Sequence, residues 1–123
     1  MKRRVLFICE GNIHRSRTAE RLYASTPGLE VRSAGLASSS RVQVTEELLA
    51  WANDIFVMES RLIHLLQSRF VTSRAVRWAI SLDIPDDYQF MQPELVAILT
   101  ERLRLYLGHP VEEIPQVRYM TCR

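Results

Sequence analysis

Apolar and polar positions along the chain come in blocks, each with its own period. Val5-Leu6-Phe7-Ile8 is an unbroken apolar run between Arg3-Arg4 and the polar stretch Cys9 to Asn12. So short a run, ending at Cys9, reads as a strand. The pattern predicts strands over 4–8, 29–33, 54–58 and 76–82. Between them lie segments with helical period, predicted over 16–25, 45–52, 59–69 and 93–107. Thr26-Pro27-Gly28 stops the first helix, and Ala34 to Ser40 reads as a loop. Thr45 is placed to cap the second helix, with Leu48, Leu49 and Ala52 inward. Leu62, Leu65, Leu66 and Phe70 form one stripe of the third. Pro93 suits the first turn of the last, where Leu95, Ile98, Leu99, Arg102, Leu103 and Tyr106 recur at helical spacing. Strands alternating with helices imply an α/β fold, a single domain with a four-stranded parallel sheet and helices on both faces.

The 123 residues fit one domain, with a core over about 3–107 and a C-terminal tail over 108–123 to which no chemistry is assigned. No apolar run reaches the ~20 residues of a membrane span. Met1 to Arg4 followed by apolar residues superficially suggests a secretion signal, but the apolar part is too short. No membrane partner is therefore expected. The only two cysteines, Cys9 and Cys122, do not suggest a disulfide framework, so a reducing cytoplasm is the expected location. The net charge of +2 is too mild to argue for nucleic acid, although 15 of the 16 basic residues are arginine. No cluster of His, Cys, Asp and Glu has metal-ligand spacing, so neither metal nor other cofactor is expected. Trp51 and Trp78 read as packing residues, and His64 as a solvated or half-buried histidine on an amphipathic helix.

The candidate chemistry lies at the end of the first strand. Cys9 enters a loop, Glu10 to His14, that leads through Arg15 into a helix. Loop amides and the helix N-terminus would make an anion nest. A cysteine at its base is favoured as thiolate, the form that attacks. Arg15 could grip two oxygens of a phosphate. Gly11 permits close approach or a positive φ, Asn12 tolerates left-handed geometry, and Ser16 could cap the helix or donate to the thiolate. The bland reading of Cys9 is a buried strand-end thiol. Cleavage of a phosphate ester also needs an acid, and Asp83, Asp86 and Asp87 follow the fourth predicted strand. Each could equally be a turn residue beside Pro85.

Cys9-Glu10-Gly11-Asn12-Ile13-His14-Arg15-Ser16 resembles the C-x-G-N-x-C-R-S loop of the low-molecular-weight protein tyrosine phosphatases. Thr18-Ala19-Glu20, Ser33-Ala34-Gly35, Asp54 to Met58 and Asp83 to Tyr88 resemble further family segments in the same order. The resemblance implies a Rossmann-like phosphatase fold and a hydrolase working through a phosphocysteine. It implies Cys9 as nucleophile, Arg15 with the amides of Glu10 to Ser16 as phosphate holders, and Asp86 as acid. It also makes Tyr88 a wall for an aryl substrate, although a half-buried packing role fits that residue as well. Phosphorylated proteins, small aryl phosphates, and phosphate or sulfate ions are the implied partners.

Three departures stand out. Asp87 replaces a proline, so Asp87 could be the acid and Asp83 a brace. His14 replaces the motif's second cysteine, which removes the family's intraloop disulfide; it either supports the thiolate or fills space. Glu10 places a carboxylate at the mouth, where it should repel a dianion. A thiol-dependent arsenate reductase would need more cysteines than the distant Cys122. A catalytically weak phosphate-binding module is the other reading left open.

Overall fold

The computed structural model describes residues 2–110; the expectations for Cys122 and for the tail beyond Pro110 lie outside the described residues. Strands β1 (Arg3–Cys9), β2 (Leu29–Gly35), β3 (Asp54–Val57) and β4 (Ile80–Ser81) form one sheet in the order β2-β1-β3-β4. All three pairings are parallel, as the alternation of strands with helices predicts. Helices α1 (Arg15–Tyr23), α2 (Glu46–Trp51), α3 (Ser60–Arg69) and α4 (Pro93–Leu107) cover the two faces.

The strand period of two sorts β1 between two cores. Val5, Phe7 and Cys9 face α1 and α4, meeting Ala19, Leu22, Tyr23, Leu95 and Leu99. Leu6 and Ile8 face α2 and α3, meeting Leu49, Leu62, Leu66 and Val76. Val5 to Ile8 are fully buried, which at ~1.5–3 kcal/mol per large apolar side chain makes β1 the anchor of the domain. Thr45 caps α2 as expected, its hydroxyl accepting from Leu48 N at 3.1 Å.

The predicted fourth strand over 76–82 is the main departure. Ala75–Trp78 is a 3-10 turn, and only Ile80 and Ser81 pair with β3. The N–H groups of Arg77 and Ala79 are used locally, by Arg74 O and Val76 O. Val76 instead plugs the α2–α3 core. Trp78, expected to pack, is 74% exposed, and Leu65 lies on the solvent side of α3. Trp51 is half-buried beneath the Arg32 guanidinium, 4.3 Å from its ring centre. No helix among the described residues is long and apolar enough to cross a membrane.

Candidate active site

The sheet order reverses at β1: the chain goes to one side for β2 and to the other for β3. Ligand sites of such sheets form at the carboxyl ends of strands beside that reversal. Cys9 sits there, as the last residue of β1.

The loop after Cys9 is set by its neighbours. Ala37 N donates to Glu10 O at 2.8 Å, and Leu36 N to Cys9 O at 3.2 Å. Asn12 takes the left-handed turn with φ of 54°, a conformation its short polar side chain tolerates. Gly11 therefore does not supply the positive φ that the sequence allowed it. The glycine that geometry demands is Gly35, at the end of β2. A Cβ there would lie 2.6 Å from Glu10 O and 2.8 Å from Asn12 N. Only hydrogen lets the loop backbone rest against β2.

The Cys9 sulfur makes two hydrogen bonds. Asn12 N–H donates to Sγ at 3.1 Å, and Ser16 Oγ lies 2.9 Å away. Asn12 Nδ2 donates to Ser16 Oγ at 2.8 Å and to Ser33 Oγ at 2.9 Å. Ser33 Oγ in turn donates to Glu20 Oε1 at 2.5 Å. With its oxygen accepting from Asn12, Ser16 has its proton free for sulfur.

Arg15 is 2% exposed. Its Nη1 donates to Glu59 Oε1 at 3.0 Å and to Ile84 O at 2.7 Å; its Nε lies 3.7 Å from Asp86 Oδ1. Glu59 also accepts from Arg61 at 3.2 Å, and Arg61 pairs with Glu10. Hydrogen bonding to Arg61 holds the Glu10 carboxyl below the usual carboxylate range. The charge at the mouth that sequence assigned to a lone Glu10 is thus half of an ion pair. Glu59 and Arg61 drew no notice in the sequence. Their one signal was position: Glu59 comes two residues after β3, on the sheet edge where sites gather.

Of the three aspartates, Asp86 shares a small cleft of about 70 Å³ with Cys9, Gly11, Ile13, His14 and Arg15. Asp87 is exposed, with no ion pair or hydrogen bond among the described residues. Asp83 turns back, with φ of 55°, and Ser81 Oγ donates to its Oδ1 at 2.7 Å. Arg102 donates to Leu82 O and, at 3.2 Å, to Asp83 O, so its place in the helical stripe serves the loop rather than the core. Tyr88 is half-buried against the α1–α4 core and does not line the cleft. Ile13 does line it, and is 51% exposed. A wider cleft of about 420 Å³ between α2 and residues 72–75 has no cysteine in its lining.

Residues 4–56 match the model of the low molecular weight phosphotyrosine protein phosphatase family. Over that span, less than half of its length, the chain is similar to this family. No curated protein sequence matches the chain. The low-molecular-weight phosphatase fold extends over most of its length. Wzb from Vibrio vulnificus, in complex with benzylphosphonate, superposes with a TM-score of 0.70 at 22% identity, covering 87% of this chain and 98% of that one. The YwlE arginine phosphatase of Geobacillus stearothermophilus gives 0.67 at 23% identity, covering 98% and 97%. The tyrosine phosphatase Wzb from Escherichia coli K30, in complex with phosphate, gives 0.69 at 20% identity, covering 87% and 97%.

Proposed function

We propose that this chain is a cytoplasmic phosphomonoester hydrolase of the low-molecular-weight type, acting on aryl phosphates such as phosphotyrosine in proteins. The observation that carries the reading is the doubly hydrogen-bonded Cys9 sulfur beside a buried Arg15. In the first step Cys9 Sγ attacks phosphorus, a P–S bond forms and the P–O ester bond breaks. Asp86 gives its proton to the departing oxygen. In the second step Asp86 takes a proton from water, whose oxygen attacks phosphorus. The P–S bond breaks, and the Ser16 hydroxyl stabilises the returning thiolate. Arg15 and the loop amides hold the equatorial oxygens, where charge sits in the transition state. Phosphate and sulfate ions fit the same nest.

Ile13 gives the cleft an apolar lip, which suits an aromatic ring better than a solvated alkyl hydroxyl or a cationic guanidinium. Glu59 on Arg15 supports a second reading, a phosphate-binding module of low turnover, because the anion must compete with a carboxylate.

Turnover of p-nitrophenyl phosphate, phosphotyrosine and phosphoarginine tests the proposal. We expect hydrolysis of the two aryl esters and its loss in Cys9→Ser, with phosphate binding retained. Asp86→Asn should cost ~100-fold on phenyl phosphate and much less on p-nitrophenyl phosphate, the scale and signature of a general acid. No turnover alongside tight phosphate binding would establish the binding module instead. Faster hydrolysis of phosphoarginine would refute the aryl preference.

A further inference from the structure

The loop that carries Asp86 is pinned by backbone hydrogen bonds at both ends. At its start, Ile84 N donates to Met58 O at 2.8 Å and Ile84 O accepts from Arg15. At its end, two consecutive N–H groups turn onto the start of α1. Phe90 N donates to His14 Nδ1 at 3.1 Å, and Met91 N donates to Thr18 Oγ1 at 2.9 Å. Thr18 Oγ1 passes its own proton to His14 O at 2.7 Å. The Arg17 guanidinium stacks over the Phe90 ring, 4.5 Å from its centre. Met91 adopts φ of 60°, a left-handed conformation costing ~1–3 kcal/mol in a residue of this kind, and the pins hold it. Among the described residues, no hydrogen bond holds the backbone of Asp86, Asp87 or Tyr88.

We propose that His14 is the positioning residue for the general acid, docking the Asp86 loop onto the phosphate loop through its Nδ1 acceptor. The proposal rests on the reading of Asp86 as the acid. A sulfhydryl, which the resembled motif has at this position, is a weak acceptor and far shorter than imidazole. Accepting at Nδ1 requires that nitrogen to carry no proton, so the ring's hydrogen sits on Nε2. A residue of the phosphate loop itself thus sets where the proton donor hangs. Orientation of a catalytic group within about 1 Å decides rates by ~10²-fold. His14 touches no reacting atom in this scheme; it acts through Phe90 and the span from Ile84 to Gln89 before it.

The test uses the full chain and three substitutions at one site. In His14→Asn the amide Oδ1 falls where Nδ1 was; in His14→Gln it reaches toward the Nε2 position; His14→Ala has no acceptor. We expect the loss on phenyl phosphate to exceed that on p-nitrophenyl phosphate by roughly tenfold or more in Ala and Gln, and Asn to restore much of the difference. In an Asp86→Asn background the same substitutions should add no leaving-group dependence, because the group they position is gone. Amide exchange supplies a readout independent of activity. The Phe90 N–H should be protected in the parent and in His14→Asn, and exchange fast in His14→Ala. A Phe90 amide equally protected in all variants would overturn the docking. Lost protection with an unchanged leaving-group ratio would overturn the positioning role. If Asp86→Asn itself shows no leaving-group dependence, the acid assignment fails and the positioning role falls with it, while exchange still decides whether the dock exists.

Discussion

Replacing Gly35 with alanine should damage a site that Gly35 never touches chemically. The added methyl carbon would stand 2.6 Å from Glu10 O and 2.8 Å from Asn12 N, with Ser40 Oγ closer still. Ser40 can rotate away; the two backbone atoms cannot. To reach ordinary contact at 3.4 Å, they must retreat by roughly 0.6–0.8 Å. Both belong to the loop proposed to hold the phosphate, and Asn12 N donates to the Cys9 sulfur. Overpacking of this kind costs about 1–3 kcal/mol. For a domain of this size that lowers the melting temperature by roughly 4–12 °C. A shift near 1 Å in a reacting group costs on the order of 10²-fold in rate. Gly35→Ala should therefore stay folded at 25 °C while kcat for p-nitrophenyl phosphate falls by ~30-fold or more. Circular dichroism melts and steady-state kinetics on the same preparation check both parts. An alanine variant with parental kcat would show that the loop relocates without cost, and would refute the argument from close packing.

Glu59→Gln keeps an oxygen for Arg15 but removes a negative charge from beside the anion nest. At a partly exposed site that change is worth about 1 kcal/mol, so competitive inhibition by inorganic phosphate should tighten roughly fivefold at low salt. Unchanged or weaker inhibition would mean that Glu59 does not oppose the ligand. Tyr23 is buried, its hydroxyl donates to Gly108 O at 2.8 Å, and burial pushes its pKa up to about 12 from 10. A value raised in the folded state gives stability that is complete below pH 10 and lost as pH rises toward 12. Tyr23→Phe should be less stable at pH 7 by about 1 kcal/mol, and the gap should narrow above pH 10. Melting curves that stay parallel from pH 8 to 11.5 would count against it.

Much of the fold was legible because its determinants are local. Val5 to Ile8 announced a strand, Thr45 a cap, and Pro93 the first turn of α4, whose limits match the expectation. The fourth strand was misread because alternation and apolar content cannot reveal how far a partner extends. β3 offers only Phe56 and Val57 to pair, so residues before Ile80 turned instead. At the site, residues joined through the chain were visible: Cys9, Asn12, Arg15 and Ser16 lie within eight positions. Partners that meet only in space were not. Glu59 reaches Arg15 from 44 positions away, and Phe90 reaches His14 from 76. Resemblance marked Gly35 as part of a segment, but the reason for a glycine there is a contact between two strands' ends.

The placement of β1 at the centre of a parallel sheet has a consequence for the chain during synthesis. Its register pairs Arg3 with Leu29 and Val5 with Asp54. This apolar stretch therefore emerges before its neighbours and waits for partners made 26 and 49 residues later. Closing such loops is entropically costly before the contacts form, which slows parallel sheets in general. Until β3 arrives, Val5 to Ile8 is a short, uncharged, β-prone segment without a cover, the kind that associates between nascent chains. Arg3 and Arg4 on one side and Glu10 on the other flank it with charge. Those residues guard solubility before they serve any other purpose.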